Sequence, residues 1–137
     1  MNDYIVYTDG AYSSSKDQGG IGIIVLRDNE VILEYSKMYK SVTNNIMELG
    51  AVILALRFIK NSINSLTIVT DSMYVIGCAT KGWQRKKNIK LWNEFDKQYN
   101  RVKGLCSKIE FKHIKGHSGE KYNEQVDSLA RSASQQV

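Results

Sequence analysis

Between Thr43 and Ile59 the chain is apolar on nearly every side of a helix. Met47, Ala51, Leu54, Ala55 and Phe58 recur at three- and four-residue steps, and Leu49, Val52, Ile53, Leu56 and Ile59 fill the positions between them. Such a helix cannot lie on a surface with one face in water. It needs cover around most of its circumference, which a layered domain supplies. Thr43 is its expected N-cap. Before it in sequence stands Tyr4 to Thr8, β-branched and aromatic; after it stands Leu66 to Thr70, a short apolar run suited to a strand buried on both faces. Strands joined through a helical crossover read as parallel to one another.

The remaining segments complete the pattern. Gly19-Gly20 marks a turn, and Ile21 to Leu26 and Val31 to Tyr35 read as two strands around an Asp28-Asn29 turn, so the opening is an antiparallel meander. A short helix after Asp71, a second from Lys90 to Val102, a strand at Ile109 to His113 and a helix from about Tyr122 follow. Trp92, Phe95 and Tyr99 recur at helical spacing and are expected in the core. The order βββαβααβα predicts an α/β layered domain with a mixed sheet. With 137 residues and 42% hydrophobic content, a single domain over 1–137 is expected.

Several function classes are disfavoured. No run approaches the roughly 18 apolar residues of a membrane span, and Met1-Asn2-Asp3 does not open a basic-then-apolar leader. Cys78 and Cys106 lie far apart, with no Cys or His near them at zinc-ligand spacing. A soluble, unprocessed, cytoplasmic protein without membrane association is the expectation, and a monomer. The net charge of +5 favours a polyanionic partner, an argument whose weight depends on where the charge gathers. It gathers in Lys81 to Trp92, where Arg85, Lys86 and Lys87 stand beside two indoles.

Four carboxylates fall where this architecture exposes one edge of the sheet. Asp9 is read as ending the first strand, on the face of Ile5 and Tyr7, an acid in an apolar row. Burying it alone costs several kcal/mol, and a bound cation is the usual compensation. Glu48 sits early in the apolar helix, Asp71 follows the buried strand at its carboxyl end, and Asp127 lies four residues after Asn123 on one helix face. Taken singly, each has an ordinary reading as a cap or turn residue.

Their flanking residues add more. The chain reads Tyr7-Thr8-Asp9-Gly10, Thr43-Asn44-Asn45-Ile46-Met47-Glu48-Leu49, Thr70-Asp71-Ser72 and Gly116-His117-Ser118-Gly119, with Asn123 and Asp127 following. In that order the series closely resembles type 1 ribonuclease H from Asp9 to Arg131, and the Thr-Asn-Asn-x-Met-Glu-Leu segment is its most specific part. The resemblance implies a ribonuclease H-like fold, a mixed five-stranded sheet with helices on its faces. It implies an endonuclease that cuts the RNA strand of RNA/DNA hybrids to 5′-phosphate and 3′-hydroxyl products. Asp9, Glu48, Asp71 and Asp127 would hold two Mg2+ or Mn2+ ions, hard cations that suit all-oxygen ligation.

By the same resemblance His117 assists catalysis without holding metal, a role that suits an imidazole titrating near neutrality in a glycine-flanked loop. Asn44 and Asn45, whose amides donate and accept, would read 2′-hydroxyls, with Thr43 on a phosphate and Gly10 and Asn123 also at the substrate. Arg85, Lys86 and Lys87 would supply affinity through phosphates. Trp83 has two readings, as a wall of the DNA-binding groove or as an anchor for its own loop. Met73 and Ser15 depart from the family pattern, where many members carry glutamine and asparagine.

Overall fold

The computed structural model describes residues 2–116 and 118–137. A five-stranded sheet in the order β3-β2-β1-β4-β5 is built from β1 (Asp3–Ser13), β2 (Gln18–Arg27), β3 (Glu30–Lys40), β4 (Ile63–Thr70) and β5 (Cys106–His113). β2 runs antiparallel to β1 and β3 antiparallel to β2, while β4 is parallel to both β1 and β5. The helices are α1 (Asn44–Phe58), α2 (Met73–Thr80), α3 (Ile89–Lys103) and α4 (Lys121–Ser134). Fold class, element order and mixed sheet all match the expectation. Among the described residues no helix is long and apolar enough to cross a membrane.

Alternating residues of β2 serve two cores. Ile21, Ile23 and Val25 join α1 and α3, including the buried Leu49, Leu56, Trp92 and Phe95; Ile24 and Leu26 face the other way, onto Val126 of α4. Thus α1, apolar nearly all round, is covered by sheet on one side and α3 on another, as its composition demands. Thr43 caps it, its hydroxyl accepting from Ile46 N–H at 3.1 Å.

Two expectations need correction. Gly19 and Gly20 are not a turn but part of β2, and the chain reverses at residues 14–17 instead. The glycine is required by close approach: a Cβ on Gly20 would lie 2.6 Å from the backbone nitrogen of Ser134 in α4. Asp9 does not end β1, which pairs with β2 as far as Ser13. The Asp28-Asn29 turn is as read, both residues having the positive φ (50° and 70°) of a tight two-residue hairpin.

The carboxyl end of α1 is held by a cation from α3. Arg101 donates to the carbonyls of Ile59 at 2.7 Å and Leu56 at 2.9 Å, at the helix end where carbonyls lack the regular intrahelical bond; Leu56 also accepts from the Ile59 N–H of the cap. Arg101→Ala should therefore lower unfolding free energy by about 1–2 kcal/mol, measured by urea titration, since bonds to a charged donor are lost and the carbonyls regain only water.

Candidate functional site

The parallel register of β1 and β4 is what first brings acids together. Tyr7 pairs with Val69, so two residues further along the strands Asp9 and Asp71 stand side by side. Glu48 comes from the first turns of α1, beside the bare backbone of Gly10. A Cβ on Gly10 would sit 2.5 Å from the Met47 carbonyl carbon, so any other residue would push α1, and Glu48 with it, away from the strand. The Gly10 N–H donates to both acids, to Asp9 Oδ1 at 2.9 Å and Glu48 Oε1 at 2.7 Å.

Asp9, Glu48 and Asp71 each offer an oxygen, and these atoms lie within 4.8 Å of one another. Asp9 is 4% exposed and Glu48 7%. Burial raises the Asp9 carboxyl far above the usual carboxylate range, and the charges of Glu48 and Asp71 raise it further. Glu48 is raised too, by burial and by Asp71, while the Gly10 N–H pulls it the other way. Asp127 adds to both shifts. Such an arrangement of hard oxygen donors, two of them buried, fits a divalent cation of the Mg2+ type.

Asp127 is near enough to act electrostatically but is not in the three-acid group. Its carboxylate pairs with Arg131, one turn on along α4. The i, i+4 spacing could have signalled that pair in the sequence. His117 lies outside the described residues; its neighbour Gly116 sits against Asp71, where a Cβ would be 3.1 Å from Oδ2.

A groove of about 600 Å3 opens at the amino end of α1, lined by the exposed Thr43, Asn44 and Asn45 and, from the far wall, by Trp83, Lys86 and Lys87. Trp83 lines this groove, 47% exposed, and its ring lies over Gly77 of α2, which anchors the loop. Tyr74, Gln84 and Asn88 line the groove as well and were not singled out from sequence. Asn88, directly before α3, carried the signal of a helix cap.

Three residues expected at the substrate are engaged or covered within the protein. Arg85 is turned inward, bonded to Asp96 at 2.7 Å and stacked on Trp92. Asn123 is 2% exposed, so its side chain is closed to solvent. Gly10 has its N–H engaged by the two acids rather than open to a substrate.

Comparison with known proteins agrees with this geometry. The family model described as RNase H matches residues 1–135. The Ribonuclease H of Trichodesmium erythraeum is 40% identical, over 96% of this chain and 88% of that protein. That of Wolbachia pipientis is 38% identical over 96% and 94%, and the Ribonuclease HI of Synechocystis sp. 34% over 98% and 89%. Among solved structures, RNase H1 of the halophilic archaeon Halobacterium salinarum superposes with a TM-score of 0.75 at 22% identity, covering 96% of each chain. The N-terminal RNase H domain of a Mycobacterium tuberculosis protein, solved as a fusion with maltose binding protein, gives 0.78 at 19% identity over 98% and 94%. At those identities the two structures speak for the fold alone. The match of the family model along the chain, with relatives at 34–40% identity, places this chain in the RNase H family.

Proposed function

We propose that residues 1–137 act as one catalytic domain that hydrolyses the RNA strand of RNA/DNA hybrids, with two Mg2+ or Mn2+ ions, to give 5′-phosphate and 3′-hydroxyl ends. The observation that carries the reading is three carboxylate oxygens within 4.8 Å, in a chain of the RNase H family. The amino end of α1, one helical turn from Glu48, lines a groove with lysines on its far wall.

In this reading Asp9, Glu48 and Asp71 hold the ions, and Asp127 joins them by releasing Arg131. When bound, the ions supply electrostatic stabilisation of the phosphate and a lowered pKa for the attacking water. The protein's own groups do the rest. Asn44 and Asn45 reach 2′-hydroxyls with amides that can donate and accept, and Thr43 takes a phosphate oxygen. Lys86 and Lys87 attract the backbone. His117, on the loop that carries Gly116 to Asp71, moves protons as product leaves. Hybrids labelled on either strand test the proposal: the RNA strand should be cut with Mg2+ or Mn2+ and spared with chelator. Cutting of the DNA strand, or cutting without metal, would overturn it.

The raised carboxyls set the sign of a pH effect. A folded pKa above the unfolded one means the folded state binds the extra proton, so the metal-free protein loses stability as pH climbs from the unfolded value near 4 toward the raised one. Urea midpoints in chelator should fall between pH 5 and about 8. Asp9→Asn should shrink that fall and stabilise the metal-free protein at neutral pH, while abolishing cleavage; near-normal turnover would remove Asp9 from the site. His117→Ala should slow turnover without changing metal affinity, and complete loss of metal binding would make it a ligand instead.

A further inference from the structure

The loop between α2 and α3, residues 81–88, has no helix or strand of its own, yet it is tied down along its length. Trp83 lays its indole on Gly77, and its backbone N–H donates to the Gly77 carbonyl at 3.2 Å. Arg85 Nε donates to the Cys78 carbonyl at 3.2 Å and Nη1 to Asp96 at 2.7 Å, with the guanidinium 4.3 Å from the centre of the Trp92 ring. Asn88, in the left-handed region at φ 60°, makes no side-chain cap bond to α3; its amide donates instead to the Tyr74 hydroxyl at 3.0 Å, which also accepts from Trp92 Nε1 at 2.8 Å. Lys86 and Lys87 stand between the last two ties, exposed and lining the groove.

We infer that Arg85 is a positioning residue: with Asp96 and Trp92 it holds the 81–88 loop in the shape in which Lys86 and Lys87 meet the phosphates of the substrate. This rests on the hybrid-binding reading above. Arg85 is ill placed to meet phosphate itself, since two of its three nitrogens are bonded to Asp96 and Cys78, its flat face is stacked on an indole that is 1% exposed, and it does not line the groove as Lys86 and Lys87 do. Two adjacent ammonium groups on a free loop would repel and sample many directions, so binding would have to order them. A loop ordered beforehand spares that entropy.

Anisotropy titrations of a labelled RNA/DNA hybrid in chelator, over a series of salt concentrations, separate positioning from contact. Lys86→Ala and Lys87→Ala, each losing a phosphate contact, should flatten the slope of log affinity against log salt by about 0.7–0.9. Arg85→Ala should weaken binding about three- to ten-fold with the slope unchanged, because the lysine contacts still form once the loop is ordered. Arg85→Lys, which keeps the charge but neither the fork nor the stack, should weaken it similarly. Asp96→Asn is the sharpest arm: it removes a negative charge from a protein binding a polyanion, yet should weaken binding. The inference is overturned if Arg85→Ala flattens the slope as the lysine variants do while Arg85→Lys binds like wild type, or if Asp96→Asn binds more tightly. Should Arg85→Ala lose its fold by circular dichroism, the Arg85→Lys and Asp96→Asn arms decide. Failure of the wild-type chain to bind hybrid would remove the hybrid reading, and the inference with it.

Discussion

Mutual repulsion among three acids is the constraint around which the site is arranged. Asp9 and Glu48 are nearly closed to water, and with Asp71 they bring oxygens within 4.8 Å. Charges so placed push one another apart and are poorly solvated, so only a rigid frame keeps them close. The frame is the sheet itself. β1 lies at its centre, paired on both edges, and the parallel register with β4 places Asp71 level with Asp9. α1 is buried in the core and lies so close to Gly10 that a side chain there would meet the backbone of Met47 and Glu48. The Gly10 N–H, shared between two carboxylates, is the small partial positive charge that the fold itself contributes.

Among the described residues, an acid cluster and a pair of exposed lysines stand at separate places in the fold. The acid cluster lies between β1, β4 and the first turns of α1; the lysines stand on an irregular loop before α3. The amino end of α1 links them, since Thr43, Asn44 and Asn45 line the groove with Lys86 and Lys87 while Glu48 follows in the next turn. In the proposed function, a nucleic acid drawn in by the lysines would lie along residues that can discriminate sugars before reaching the acids. The other end of α1 is held by Arg101.

Much of this was legible because local pattern and global fold agree. The all-round apolar helix and the strands on either side of it follow from short-range periodicity, while the acids stood out by the residues that flank them. What was not legible depends on partners distant in sequence. Gly19-Gly20 reads as a turn until α4 is laid on β2 and the missing side chain becomes a packing requirement. Asp9 reads as a strand end because the apolar run stops there; the strand continues by pairing with β2, which propensity does not register. Arg85 reads as one of three equivalent cations. Only the folded position of α3 supplies Asp96 and Trp92, which take it out of the basic run.

The central claim is that the crowded acids await a cation, and that they relieve their crowding by holding a proton when none is bound. Calorimetric titration of Mn2+ into the chain at pH 7, repeated in buffers of different ionisation enthalpy, counts the protons released per ion bound. Because Asp9 and Glu48 are raised above the usual range, binding should expel protons, and Asp9→Asn should reduce both the release and the affinity. Binding with no proton release, or release and affinity unchanged in Asp9→Asn, would contradict the account.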